Sequence, residues 1–156
     1  MTYAHEPRDS DRRTCDLGWA LGMCLRGYRA RVEPVFAEVP RGARGYQLLH
    51  TVAHKPIRTQ MELAEYLGVD RTVMPYVVDD LVESGLVRRE RDGADRRIRT
   101  VVVTDAGTSL LRSLEVELAR AESELLSALD PQLQDVLRDA LARVAQWSRD
   151  DRALDL

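Results

Sequence analysis

LAEYLGVDRTVMPYVVDDLVESGLVRRERDGADRRIRTVVVT, Leu63–Thr104, is the stretch whose reading decides the fold. It is preceded by TQME, where Thr59 is placed to cap a short helix and Glu62, three residues on, completes a capping box. Gly68 supplies the tight turn that follows, and Asp70 is suited to cap a second helix. That helix carries Val73, Val77, Val78, Leu81 and Val82 on one face and stops at Gly85. Leu86–Glu90 and Ile98–Val103 read as two strands around a turn containing Asp92 and Gly93. A helix-turn-helix running into a β-hairpin is the layout of a winged helix.

Charge is placed along the chain rather than spread over it. Between Leu86 and Thr100, six arginines (Arg88, Arg89, Arg91, Arg96, Arg97, Arg99) face three acids, a local excess of +3 in a chain of net charge −3. From Ser113 to Asp135 six acidic residues face Arg120 alone, a local balance of −5. A basic hairpin on an acidic body suits one anionic partner docking at one end. Alternating charge could also serve only to keep an exposed hairpin solvated. Directly behind a helix-turn-helix, nucleic acid is the stronger reading.

Outward from this unit the chain is helical. Leu17, Leu21, Cys24, Leu25, Tyr28 and Val32 recur at spacings of three and four, predicting a helix from about Arg12 to Val32 that Pro34 ends. A second, shorter helix follows in GYQLLHTVAH, with Tyr46, Leu49, Val52 and Ala53 on one face. Behind the hairpin, Leu110, Leu114, Leu118, Ala121, Leu125 and Leu129 form one amphipathic stretch, and Leu133, Val136, Leu137, Ala140, Leu141, Val144 and Trp147 form another. Asp130 and Pro131 divide them as N-cap and first helical residue. So much apolar helix surface exceeds what a small winged domain can cover. A two-fold dimer with interleaved terminal helices is the simplest completion, and folding back on the same chain is the other.

The expected class is therefore mainly α with a small β-hairpin wing: a winged helix-turn-helix plus N- and C-terminal dimerisation helices. The expected limits are a flexible N-terminus over 1–10, one domain over 11–150 and a tail over 151–156. Within the domain, 11–39 and 108–150 are the dimerisation helices and 40–107 the DNA-binding lobe. No apolar run approaches the roughly 20 residues of a membrane span. The polar MTYAHEPRDSDRRTCD is not a secretory signal, so the cytoplasm is the expected compartment. No G-x-S-x-G, phosphate loop, H-E-x-x-H or Cys–His motif occurs, and no enzymatic activity or cofactor is expected. Cys15 and Cys24, nine apart and so 2.5 turns apart on one helix, cannot pair with each other. Buried inert thiols are the ordinary reading, and a redox sensor is the alternative.

The chain resembles the MarR family of transcriptional regulators over about Asp11–Asp150. The motifs that carry the resemblance are LAEYLGVDRTVM and LVESGLVRRERDGADRRIRTVVVTDAG. Asp92, Asp95, Arg96 and Arg97 fall on the wing motif, and Thr104 with Gly107 on the start of the next helix. LGWALGMCLRGY and RGYQLL are similar to a branch of the same family. The resemblance implies a homodimer on a pseudo-palindromic double-stranded DNA operator, a repressor of its own or adjacent genes, and release by a small aromatic or acidic effector.

It also implies site residues. The recognition helix is expected to begin at Arg71, making Arg71, Thr72, Met74, Pro75 and Tyr76 the groove or phosphate contacts. Arg71 suits guanine, and Thr72 a phosphate oxygen or thymine methyl. Arg96 and Arg97 are assigned to the wing, Arg97 to the minor groove and Arg96 to a salt bridge shaping the wing. Arg88 and Arg89 are backbone candidates. Three features depart from the family pattern: Pro75 is expected to kink or loosen the helix start, Asp80 needs an arginine partner or a place away from phosphate, and Tyr76 replaces a common arginine. They keep open a second function, a winged-helix interaction or dimerisation module with weak or lost DNA binding.

An effector is expected between the first helices and the winged lobe, lined by Trp19, Met23, Tyr46, His50 and His54, with Arg26 for a carboxylate. Core or dimer packing is the other reading of Trp19 and Tyr46. His50 and His54 share a helical face, but with no acidic or thiol partner nearby in sequence no metal site is assigned. The cysteine of the family's peroxide-sensing branch corresponds to Gly18 here, which weakens a redox reading of Cys15.

Overall fold

The structure is a computed structural model that describes residues 16–91 and 98–152, with backbone only for 149–152. The elements run α1 (Leu17–Val32), a 3₁₀ turn (Pro34–Phe36), α2 (Ala43–His54), α3 (Gln60–Leu67), α4 (Met74–Glu83), β1 (Val87–Arg91), β2 (Arg99–Val103), α5 (Asp105–Leu125), a second 3₁₀ turn (Leu126–Ala128) and α6 (Pro131–Arg152). The fold is the expected one, mainly α with a two-stranded antiparallel wing.

Local chemistry explains most boundaries. Asp16 caps α1 by accepting from the Trp19 N–H at 3.2 Å. The capping box of α3 is complete: Thr59 Oγ1 accepts from the Glu62 N–H, and the Glu62 carboxylate accepts from the Thr59 N–H at 3.1 Å. Gly68, at φ 60°, ends α3 in the left-handed region, where a Cβ would be strained. Asp130 Oδ1 accepts from the Leu133 N–H at 2.9 Å, and Pro131 opens α6 where a missing N–H costs nothing.

The wing is tied to the helices by main chain and by Thr104. β1 pairs with β2 from Val87↔Val103 to Arg91↔Arg99. Val101 N–H donates to Arg58 O at 2.8 Å, so the residue before the α3 cap extends the sheet edge. Thr104 caps α5 by accepting from the Gly107 N–H at 3.0 Å, while its own hydroxyl lies 2.7 Å from Gly85 O. Gly107 is required by contact: a Cβ there would stand 2.1 Å from the Leu86 carbonyl oxygen.

Two apolar clusters result. Leu48, Leu49, Val52, Leu63, Met74, Val77, Val78, Leu81, Val87, Val101 and Leu111 form the core of the lobe. Val32, Phe36 and Val39 meet Leu114 and Ala121 in a smaller cluster at the neck, where α1 crosses α5. Tyr46 touches both clusters.

The recognition helix begins three residues later than the sequence predicts. Arg71–Val73 form a separate turn in which the N–H groups of Val73 and Met74 both donate to Asp70 O, at 2.9 and 3.0 Å. Asp70 is not the cap of α4; its Oδ1 instead accepts from the Thr72 N–H at 2.7 Å and the Thr72 hydroxyl at 2.6 Å. The cause is Pro75, which cannot donate to the Arg71 carbonyl and whose fixed φ suits the first turn of a helix. As the second residue of α4 it is accommodated at the helix start rather than in its interior.

Candidate nucleic-acid interface

α3, the turn at Gly68 and α4 present one outer face, and the residues on it fall into three groups. Arg71, Val73 and Tyr76 are exposed, Tyr76 at 62%. Met74 is 1% exposed and belongs to the lobe core, so it is not a groove contact; Pro75 is half-buried. Met74 fails as a contact because the later helix start turns it inward with Val77, Val78 and Leu81. Thr72 lies outside, but its hydroxyl hydrogen is engaged by Asp70, leaving its methyl and oxygen for a partner. That bond, followed by the Thr72 N–H, also holds the Asp70 carboxyl below its usual range.

The two acids that sit oddly on a DNA-reading helix are both paired. Asp79 Oδ1 accepts from Arg89 at 2.5 Å, and Asp80 is bonded to Arg41. Each pair fastens α4 to a neighbour: Arg89 to the wing strand β1, Arg41 to the turn before α2. Arg89 is therefore a brace of the reading helix rather than a free phosphate ligand. Arg88 is exposed and lies 2.7 Å from Glu90 on its own strand. Arg96 and Arg97, with Asp92 and Asp95, lie outside the described residues, as does Cys15. Cys24 is exposed, against the expectation of a buried thiol.

Of the expected effector residues, Tyr46, His50 and His54 pack in a row along α2, but those on α1 do not join them. Trp19 is 63% exposed and Met23 44%, and Arg26 is exposed with them on α1. Of the six, only Tyr46 lines a half-open cavity of about 650 Å³ between α1, the Pro34–Phe36 turn and the start of α2. Leu25, Tyr28, Phe36 and Tyr46 give it apolar and aromatic walls, while Arg29, Arg41 and Arg44 outweigh Glu33 to leave the lining positive. Sequence reading missed this set because it placed the lining on the α1 face that faces outward. The RGARG run, Arg41–Gly45, was the available signal. Arg41 is a non-glycine residue at φ 65°, a left-handed conformation that costs about 1–3 kcal/mol unless its surroundings hold it. Burial, with Glu115, Tyr28 and Glu122 adding to it, pushes the Tyr46 hydroxyl up to about 12, so it stays protonated and able to donate.

His50 and His54 follow Tyr46 along one face of α2 and stand against Glu115 of α5. Glu115 Oε1 is 2.9 Å from His54 Nε2 and 3.9 Å from His50 Nε2. Burial and then His54 push His50 below the ordinary histidine value, against the pull of Glu115. Glu115 was invisible to sequence reasoning because 61 residues separate it from His54.

This fold, with an exposed reading helix backed by a basic hairpin, defines a winged helix-turn-helix DNA-binding protein. Residues 42–98 match the model of the MarR family, and solved structures of similar fold include MarR-family transcriptional regulators. Among solved structures it is similar to the PcaV transcriptional regulator from Streptomyces coelicolor, at 26% identity over 87% of this chain and 99% of that one, TM-score 0.67. PcaV has also been solved in complex with its natural ligand. CouR from Rhodococcus jostii RHA1, solved bound to p-coumaroyl-CoA, is 24% identical over 83% of this chain and 92% of its own, TM-score 0.71, and shares the fold. The regulator SlyA aligns over 91% of this chain and all of its own, at 23% identity and TM-score 0.75. No helix among the described residues is long and apolar enough to cross a membrane.

Proposed function

We propose that this chain is a homodimeric repressor of its own or adjacent genes, released from a pseudo-palindromic operator by a small aromatic acid. The observation that carries the DNA reading is the outer face of α4. Arg71, Thr72 and Tyr76 stand outward beside the basic wing, while Asp79 and Asp80 of that helix are neutralised by arginines. Arg71 is the base reader in this proposal, Thr72 and Tyr76 are groove or phosphate contacts, Arg88 meets the backbone, and Arg97 enters the minor groove.

Dimerisation is supported by the apolar side chains that a single copy leaves in water. Leu17, Trp19, Leu21 and Leu25 on α1, and Leu133, Val136, Leu141, Val144 and Trp147 on α6, are each between 48% and 72% exposed. A second copy bringing the same two helices would cover them and set two reading helices one operator turn apart.

Release by an acid is supported by the cavity. Its volume falls within the usual range for small-ligand sites, and its aromatic walls and three arginines suit a ring bearing a carboxylate. PcaV and CouR, each solved with a ligand, make such a site reasonable here. Arg41 gives the cavity a route to DNA: it lines the cavity and holds Asp80 of α4. An effector carboxylate that takes Arg41 leaves Asp80 unpaired on the DNA-facing helix, adding negative charge where phosphate must approach.

The test is fluorescence anisotropy against the chain's own upstream region and a scrambled duplex at two salt concentrations. Sequence-selective binding that weakens by about 10³–10⁵ between 50 and 200 mM salt is expected for 6–10 neutralised phosphates. Equal, weak binding to both duplexes would overturn the reading for that operator and move the search to genomic fragments.

A further inference from the structure

We propose that His50, His54 and Glu115 form a binding site for a divalent transition-metal ion, Zn²⁺ by its ligand chemistry, bridging α2 and α5. Each of the three offers one donor atom, and these atoms lie within 4.8 Å of one another. A tetrahedral zinc site with bonds of about 2.0–2.1 Å needs donors roughly 3.3 Å apart. Glu115 Oε1 stands 2.9 Å from one imidazole nitrogen and 3.9 Å from the other, on either side of that spacing. The two histidines are one helical turn apart with ring centroids 4.5 Å apart, so small rotations about exposed side-chain bonds bring both nitrogens onto one ion.

The donor set selects the class of metal. Two imidazoles and one carboxylate suit Zn²⁺, Co²⁺ or Ni²⁺ and are a poor cage for Mg²⁺ or Ca²⁺, which take oxygen ligands. The side chains are 36–48% exposed, which leaves the fourth position open to water. His50 is steadied from behind: Tyr46 packs on it at 5.7 Å between centroids, and Phe36 stacks on Tyr46 at 4.6 Å. That aromatic column limits where the imidazole can turn. Without an ion, one carboxylate oxygen faces two imidazole nitrogens. A cation satisfies all three with the histidines neutral. The ion would also clamp the winged lobe, through α2, to the helix that leads out of it.

The full chain, free of any affinity tag, is titrated with Zn²⁺ by calorimetry and with Co²⁺ by visible absorption. The expected result is one ion per chain, Co²⁺ d–d bands without thiolate charge transfer, and a raised melting temperature with Zn²⁺ but not with Mg²⁺. His50→Ala/His54→Ala is expected to abolish saturable binding. Glu115→Gln keeps the shape and one hydrogen-bonding oxygen, and is expected to weaken binding by at least the roughly 10–100-fold that outer ligands of a metal are worth. Circular dichroism of each variant confirms that it folds. Absence of saturable one-to-one binding, binding unchanged in Glu115→Gln, a thiolate signature, or an equal response to Mg²⁺ would each overturn the proposal.

Discussion

The winged lobe and the terminal helices carry similar apolar periodicity and end in opposite states. In α2 to β2, Leu48, Leu49, Leu63, Val78 and Leu81 are wholly buried within one chain. In α1 only Val32 is buried, and among the described side chains of α6 none is. A 3.6-residue apolar stripe says that a face will be covered, not by whose atoms. The lobe closes because α2, α3, α4 and the wing meet on three sides of one small core. Among the described residues, α1 buries only Val32, at the neck with Phe36 and Leu114, and α6 buries no side chain.

The largest effect that can break this contrast is on DNA affinity. Leu141→Asp/Val144→Asp on α6 is expected to yield a monomer by light scattering, with the lobe still folded. Operator affinity should then fall by about 10²–10⁴, the avidity lost when two linked half-sites become one. A monomeric variant that binds the full operator as tightly as the parent would end the proposal that the terminal helices pair the readers.

The same contrast appears in stability. Leu48→Ala, at a fully buried site, is expected to cost about 2–5 kcal/mol by urea unfolding. Val136→Ala, 62% exposed in one copy, should change the monomeric variant's stability by no more than about 0.5 kcal/mol. In the dimer it should cost more, and that excess measures what the second copy covers. Equal costs in monomer and dimer would place Val136 in water in both.

Arg41 tests whether the lobe and the neck communicate. Its ion pair with Asp80 is partly exposed, so Arg41→Ala should change stability by about 1 kcal/mol or less. DNA affinity should fall more, because Asp80 then faces phosphate alone, and Asp80→Asn in the Arg41→Ala background should restore part of it. Failure of the second substitution to recover affinity would remove the electrostatic route from the cavity to the reading helix.

How far the sequence could be read follows the range of each interaction. Thr59 with Glu62, Gly68, Gly85, Thr104 with Gly107, and Asp130 with Pro131 act within a few residues, and each is where its chemistry requires. The start of α4 was misplaced because two local signals compete there. Asp70 invites a cap, but Pro75 five residues on forbids the bond that would extend the helix back to it. The cavity, the Arg41–Asp80 pair and the His50–His54–Glu115 group join residues 39 or more apart or several elements at once, and no periodicity encodes that. Trp19, Met23 and Arg26 stand exposed for a related reason: spacing identifies which residues share a face of α1, not which way the face turns.

The smallest effect concerns the piece of the lobe that depends least on the rest, the α3 capping box. Thr59→Ala removes the side-chain acceptor for the Glu62 N–H and should cost about 1 kcal/mol at neutral pH. Glu62→Gln is a subtler probe, because an amide oxygen can still accept from the Thr59 N–H while the charge is gone. In the parent, the Thr59 hydroxyl and then its N–H hold the Glu62 carboxyl below its usual range, against the opposing pull of burial. A depressed folded pKa means that the ionised form stabilises the fold above the unfolded value of about 4.3, and that this stabilisation fades as pH falls through the folded value. The parent should therefore exceed Glu62→Gln by a few tenths of a kcal/mol at pH 7, in line with a carboxylate at an exposed helix N-terminus. The gap should close in acid. Every other carboxylate titrates in both proteins, so the difference between their urea midpoints isolates this one. A gap that persists unchanged to acid pH would show that the shape of the side chain, and not its charge, holds the start of α3.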